Sequence, residues 1–314
     1  MLRFLLSRSG QTLAVLFTVS VIIFALMRMI PGDPVLMMLG DDFTQAAYDR
    51  LRAQLGFDRS IVVQYLIWLQ AILGGDLGDS YLNHERVSRL VWDAFLPTLS
   101  LVVASMLVGI LVAVPSGIVA AMRKGSAWDW GSMGFAIFVY SMPSFWKGIV
   151  LIWIFSVHLR WFPAVGYVHP WENFWEGSWR LVLPAITLGT FFSGLVARII
   201  RSSLLEVLDQ DYIKAARARG VRRAALVYRH ALANAMIPVV TVIGLQFGTL
   251  LGGAVLTETV FGIPGMGRLT VAAILNRDYA IVQGAILVGV VAVVVVNLVV
   301  DLCLLYTSDA ADEL

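Results

Sequence analysis

Ile281-Val-Gln-Gly-Ala-Ile-Leu-Val-Gly-Val-Val-Ala-Val-Val-Val-Val-Asn-Leu-Val-Val-Asp-Leu302 decides the class of this protein. A helix needs roughly 20 apolar residues to cross the hydrocarbon core of a bilayer, and this run supplies them. Comparable runs lie at about 10–30, 96–122, 132–157, 181–201 and 235–257. Backbone polar groups in lipid must be satisfied internally, and segments this long do so as helices rather than as barrel strands. The reading is an all-α polytopic membrane protein with six transmembrane helices. Its composition agrees, with 59% hydrophobic and 14% charged residues and a mean hydropathy of +0.81, far from soluble norms.

Basic residues set the orientation. Arg3 and Arg8 precede the first run, and Arg123 and Lys124 follow the second. Arg201, Lys214, Arg217, Arg219, Arg222, Arg223 and Arg229 follow the fourth. Segment 31–95 is acidic instead, with Asp33, Asp41, Asp42, Asp49, Asp58, Asp76, Asp79, Glu85 and Asp93. The positive-inside bias then puts both termini and the arginine-rich loop in the cytoplasm, and 31–95 outside. The net charge of +2 reports this topology and gives no sign of nucleic acid. Residues 1–30 read as a retained first helix, because Met29-Ile-Pro-Gly-Asp33 follows them in place of a small-x-small cleavage site. Segment 31–95, with amphipathic helices expected around Gln45–Leu55 and Ile61–Leu73, is too short for a large core of its own and reads as a cap over the outer mouth.

The loop 202–234 is the main polar feature on the inner side. It contains Asp211-Tyr-Ile-Lys-Ala-Ala-Arg-Ala-Arg-Gly220. Asp209 and Asp211 put negative charge where a helix begins. Ala215, Ala216 and Ala218 favour the helix and are small enough for a partner to approach closely. Gly220 ends it, giving a helix of about nine residues, roughly 13 Å long. A second helix leads back into the bilayer. On physical grounds alone two readings stay open: a plug for a groove on a partner protein, or a solvated basic loop against anionic headgroups.

Enzymatic chemistry is absent from the sequence. There is no G-x-x-x-x-G-K-[ST] phosphate loop. His84, His158, His169 and His230 follow no metal-ligand spacing, and no nucleophile–base motif of an intramembrane protease occurs. The single cysteine, Cys303, opens the string Cys303-Leu-Leu-Tyr-Thr-Ser-Asp-Ala-Ala-Asp-Glu313, which matches the translation of a transposase-type sequencing adapter. Residues 303–314 are therefore expected to be a non-native tail, and Cys303 carries no redox information.

Lys214-Ala-Ala-Arg-Ala-Arg-Gly220, Arg229-His-Ala-Leu-Ala-Asn-Ala235 and Ile237-Pro238 together resemble the EAA loop of bacterial ABC importer permeases, and more narrowly the dipeptide/oligopeptide/nickel branch. Further matches are Ile30-Pro-Gly-Asp-Pro34, Leu55-Gly-Phe-Asp-Arg59, Val63-Gln-Tyr65, Gly75-Asp-Leu-Gly78, Pro143-Ser-Phe-Trp146 and Thr241-Val-Ile-Gly-Leu-Gln-Phe-Gly248. Glu258-Thr-Val-Phe261, Pro264-Gly-Met-Gly267, Arg277-Asp-Tyr279 and Val282-Gln283 complete the set, which covers about 1–302. Lys214 stands where the general pattern has its first glutamate, and Leu232-Ala233 where it has leucine-proline. Lys147 stands where the branch carries an apolar residue.

The resemblance implies a type I ABC importer permease-like fold with its five-helix core in 96–302. It also implies a second homologous permease as heterodimer partner, two cytoplasmic ABC ATPase subunits that bind the ATP, and an extracytoplasmic solute-binding protein. The chain itself would hold no cofactor and would sit in a bacterial or archaeal cytoplasmic membrane. Its cargo would be peptides or similar small solutes. The ATPase-coupling residues would be Asp211, Tyr212, Lys214, Ala215, Ala216, Arg217, Arg219, Gly220, Arg229, His230 and Asn234, with Ala215, Ala216 and Gly220 making the close contact. Lys147, Pro143 and Gln246 are candidates for the translocation pathway. An ionisable group at that depth faces a cavity or a partner, and Lys147 suits either a cargo carboxylate or carbonyl, or a snorkelling or subunit-pairing role. Pro115, Pro143, Pro184 and Pro238 are expected to interrupt spans two to five, and Gly244, Gly248, Gly252 and Gly253 to permit close packing in span five. Arg198 and Arg201 are expected to mark the inner interface. The alternative is a self-sufficient secondary transporter or channel, which usually shows more intramembrane ionisable residues or an internal repeat.

Overall fold

The computed structural model describes residues 2–29, 34–40, 43–54 and 56–312. Ile30–Asp33 of the proline-glycine motif, Asp41, Asp42, Leu55, Glu313 and the side chains from Cys303 onward lie outside the described residues, so the expected non-native tail is not tested. The chain runs α1 (Leu2–Met29), α2 (Pro34–Leu39), α3 (Gln45–Gln54), α4 (Ile61–Leu73), α5 (Val87–Met122), α6 (Ala127–Ser141) and α7 (Ser144–Leu151), which continues as a π-helical turn, Ile152–His158. It goes on through α8 (Phe174–Leu208), α9 (Asp211–Ala218), α10 (Arg223–Ala225), a second π-helical turn (Leu226–Ala231), α11 (Leu232–Phe261), α12 (Met266–Leu275) and α13 (Tyr279–Asp312). Among the described residues the one extended pairing is an isolated bridge between Asp79 and Arg86.

Among the described residues five helical stretches are long and apolar enough to cross a membrane: Gly10–Met29, Val87–Met122, Phe174–Leu208, Leu226–Phe261 and Tyr279–Leu302. The third expected span differs. It consists of Ala127–Ser141 and Ser144–His158, set at 100° to each other, and makes six spans if the bent pair counts as one. The cause lies at Met142 and Pro143. A residue before proline is driven out of the helical region, and Met142 sits at φ −77°, ψ 131°. Pro143 follows at φ −56°, ψ 133°. The other prolines do not interrupt their spans: Pro115, Pro184 and Pro238 lie inside continuous α5, α8 and α11.

Contacts divide the chain into two compact units, each discontinuous in sequence: Met1–Leu96 with Gly265–Val294, and Pro97–Pro264 with Val295–Leu314. In the first, Phe24 of α1 meets Tyr65 of α4 edge-to-face at 5.3 Å, and Tyr65 shares a 2.8 Å hydrogen bond with Ser20. Its core gathers Met27, Val87, Val91, Met266, Tyr279 and Val282. The Asp278 carboxylate, buried at 1% exposure, accepts the Ile281 N–H at 3.3 Å and so caps the start of α13. It also accepts the Ser80 hydroxyl at 2.5 Å and the Tyr81 N–H at 3.1 Å, which pins the turn ahead of α5.

In the second unit α8 is the central helix. Two-thirds (67%) of its most apolar stretch is buried, against 28% for Leu226–Phe261. It packs on α6, α7 and α11. Its crossing with α5 is close because two glycines meet there: a Cβ on Gly189 would stand 2.3 Å from the Ser105 carbonyl oxygen, and one on Gly109 2.1 Å from a Phe192 ring carbon. The glycines expected to play this part in span five do so only partly. A Cβ on Gly244 would meet Val300 at 2.5 Å, whereas one on Gly252 would have nothing within 4 Å. Glu258, wholly buried, accepts the Thr98 hydroxyl at 2.5 Å.

Candidate functional site

The loop 202–234 folds as its composition implies. Asp211 occupies the first turn of α9. The helix closes with the Gly220 N–H bonded to the Arg217 carbonyl at 3.0 Å and the Val221 N–H bonded back to the Ala216 carbonyl at 3.3 Å. That closing pair requires a left-handed residue between them, and Gly220 takes φ +82°. The helix has 8 residues, one fewer than expected, because Arg219 is already its cap.

Two residues decide which side of α9 is available. Ile213 is fully buried and Ala216 is 8% exposed. They lie three apart and share a face, by which α9 packs on α8 and on the π-helical turn Leu226–Ala231. Ala216 therefore packs within this chain, on the anchored face of α9. Asp211, Tyr212, Lys214, Ala215, Arg217, Arg219 and Gly220 are exposed on the other sides. The Asn234 side-chain amide donates to the Tyr212 hydroxyl at 2.8 Å and ties α9 to the start of α11. In the π-helical turn Leu226, Val227 and Ala231 are buried, leaving Arg229 and His230 exposed. Lys214 lies 3.4 Å from Asp211 and 3.6 Å from Asp209. Arg217, Arg219 and Arg229 hold no ion pair among the described residues, so the outer surface of the loop carries net positive charge.

Within the membrane the candidates separate. Lys147 is 7% exposed, and its ammonium donates to the Val139 carbonyl and the Thr190 hydroxyl oxygen, both at 3.3 Å. Pro143 stands exposed at the elbow, and Gln246 is half-buried on α11, outside that network. Sequence reasoning missed Asp129, whose carboxylate takes two bonds from the Arg201 guanidinium at 2.7 and 2.8 Å and one from the Gly125 N–H at 2.9 Å. A signal was present, since Asp129 is the only acidic residue between Asp93 and Glu172. With Arg198 this pair lines a cleft of about 260 Å³ between α6 and α8.

A helical bundle with this loop defines a class. Residues 113–308 match the family described as binding-protein-dependent transport system inner membrane component, and residues 1–102 match the N-terminal module of such membrane components. The chain belongs to that family and is a multi-pass inner-membrane permease subunit. It is 41% identical over 331 residues to the dipeptide transport system permease protein DppB of Escherichia coli (strain K12), covering 96% of both chains. It is also 41% identical over 323 residues to the di/tripeptide transport system permease protein DppB of Pseudomonas aeruginosa (strain UCBPP-PA14), again covering 96% of both. Among solved structures, an inward-facing MetNI methionine ABC transporter chain superposes with a TM-score of 0.56 at 18% identity, covering 69% of this chain and 94% of that one. That likeness shows the fold.

Proposed function

We propose that this chain is one permease of an ATP-driven importer for di- and oligopeptides, paired with a second related permease, two cytoplasmic ATPase subunits and an extracytoplasmic binding protein. Both termini and α9 face the cytoplasm, following the distribution of arginine and lysine. ATP is bound by the partner ATPases, and this chain contributes no cofactor site. The observation that carries the reading is α9 itself: a short helix anchored through Ile213 and Ala216 that leaves Tyr212, Ala215 and Arg217 exposed. Seated in an ATPase groove, α9 would pass motion directly into α8, since only Asp209 and Gln210 separate the two helices. The pathway then alternates between outward and inward access, a two-state element biased by ATP on one side and loaded binding protein on the other. We assign Pro143 and Gln246 to the neighbourhood of that pathway.

Ala215→Glu tests the reading. Its side chain projects from the surface of α9, so insertion and folding are expected to survive while cargo-stimulated ATP hydrolysis by the reconstituted assembly falls at least tenfold. Ala216→Glu would instead bury a charge and unseat α9, and belongs in the experiment only as the folding-defective comparison. Unchanged coupling in Ala215→Glu, or peptide uptake by this chain alone without ATP, would overturn the proposal in favour of a self-sufficient transporter.

A further inference from the structure

The elbow between α6 and α7 contains a donor–acceptor mismatch that the sequence itself repairs. In a continuous helix the carbonyl of residue i accepts from the N–H of residue i+4. The Val139 carbonyl would therefore look to residue 143, which is proline and has no N–H. A carbonyl stranded in hydrocarbon costs several kcal/mol. The Lys147 ammonium takes the vacant place, 3.3 Å from the Val139 oxygen. Its own backbone N–H bonds the Pro143 carbonyl at 3.1 Å as the first turn of α7. Lys147 is thus fixed to Pro143 through its backbone and to the last turn of α6 through its side chain. The second acceptor, Thr190 Oγ1 on α8, is suited to the task because its own proton goes to the Ile186 carbonyl at 2.7 Å, leaving the oxygen free to accept. A cation at the carboxyl end of α6 is also favoured by the helix dipole.

We propose that Lys147 is a positioning residue that braces the 100° elbow, supplying the hydrogen bond that Pro143 removes and locking α6 and α7 to α8 as one body. The role is internal, in contrast to a cargo contact. It deepens the importer reading, because a braced elbow would move rigidly when α8 is driven from α9.

The test uses the full chain in its assembled complex in nanodiscs, with Cys303→Ser and spin labels at the exposed Trp130 and Trp153 positions. Lys147→Met is expected to broaden the inter-label distance distribution and raise the population away from the native peak by roughly tenfold, the equivalent of one lost charged hydrogen bond. Lys147→Arg, which keeps a donor, is expected to keep the narrow peak. Pro143→Ala restores an N–H to Val139, so in that background Lys147→Met should change nothing further. An unchanged distribution in Lys147→Met, or effects of the two substitutions that simply add, overturns the proposal. Uptake gives the second readout: a lower kcat at constant KM supports the brace. A raised KM confined to cargo with a free carboxylate, with distances unchanged, overturns it and makes Lys147 a cargo contact. The distance measurement does not depend on transport, so failure of the importer reading would leave the brace to be judged on distances alone.

Discussion

Substituting Asp129 by leucine is predicted to weaken the attachment of α6 to α8 by about 2 kcal/mol, a value between the buried and surface limits for ion pairs. The Arg201 guanidinium donates to both carboxylate oxygens, at 2.7 and 2.8 Å. The Asp129 side chain is 6% exposed and that of Arg201 28%. Breaking a fully buried pair costs about 3–5 kcal/mol, because a charge is left without water or partner. An exposed pair contributes about 0.2–1 kcal/mol. Arg201 is open enough to recover water on part of its guanidinium, and the Gly125 N–H lies in an exposed turn, so the cost falls below the buried range and above the surface one. The assay is unfolding of the purified chain in mixed micelles with rising fraction of sodium dodecyl sulfate, on Asp129→Leu, Arg201→Met and the double variant. Each single loss should be about 2 kcal/mol, and the double no worse than either, since both singles break the same pair. A coupling energy under about 0.5 kcal/mol, the range of independent sites, would refute the claim that the pair holds the two helices together.

Two further outcomes follow from single residues. Gly220→Ala should destabilise the closed end of α9 by about 1–2 kcal/mol, from backbone strain alone, since a Cβ there meets nothing within 4 Å. Gly220→Asn should cost less, and amide hydrogen exchange across 211–221 should rank the variants in that order; equal protection in all of them would contradict the left-handed closure. Asp278→Ala should cost about 1–2 kcal/mol through loss of the α13 cap and its bonds to the Ser80 turn, with faster exchange at the Ile281 and Tyr81 amides together. Acceleration at only one of the two would show that the carboxylate does not link them.

The spans and the helices α3, α4 and α9 were legible in sequence because apolar runs, acidic starts and a terminal glycine act over a few residues. The elbow was not. Pro143 looks like Pro115, Pro184 and Pro238 in sequence, and differs in having a lysine four residues on that can replace the missing donor. The packing of Ala216 within the chain was not legible, because a small side chain suits both a partner's approach and the chain's own packing; its spacing from Ile213 was the available clue. The pairings Asp129–Arg201 and Thr98–Glu258 join residues 72 and 160 positions apart, beyond the reach of any local pattern.

The bent third span also bears on how the protein is made. α6 has 15 residues, and α7 with its π-helical turn adds stretches of 8 and 7. At 1.5 Å per residue α6 is roughly 22 Å long, short of the roughly 30 Å hydrocarbon core. Neither arm is a self-sufficient transmembrane unit when it leaves the ribosome. Both pack on Phe174–Leu208, so the place of the bent span in the membrane depends on a helix that follows it in the chain.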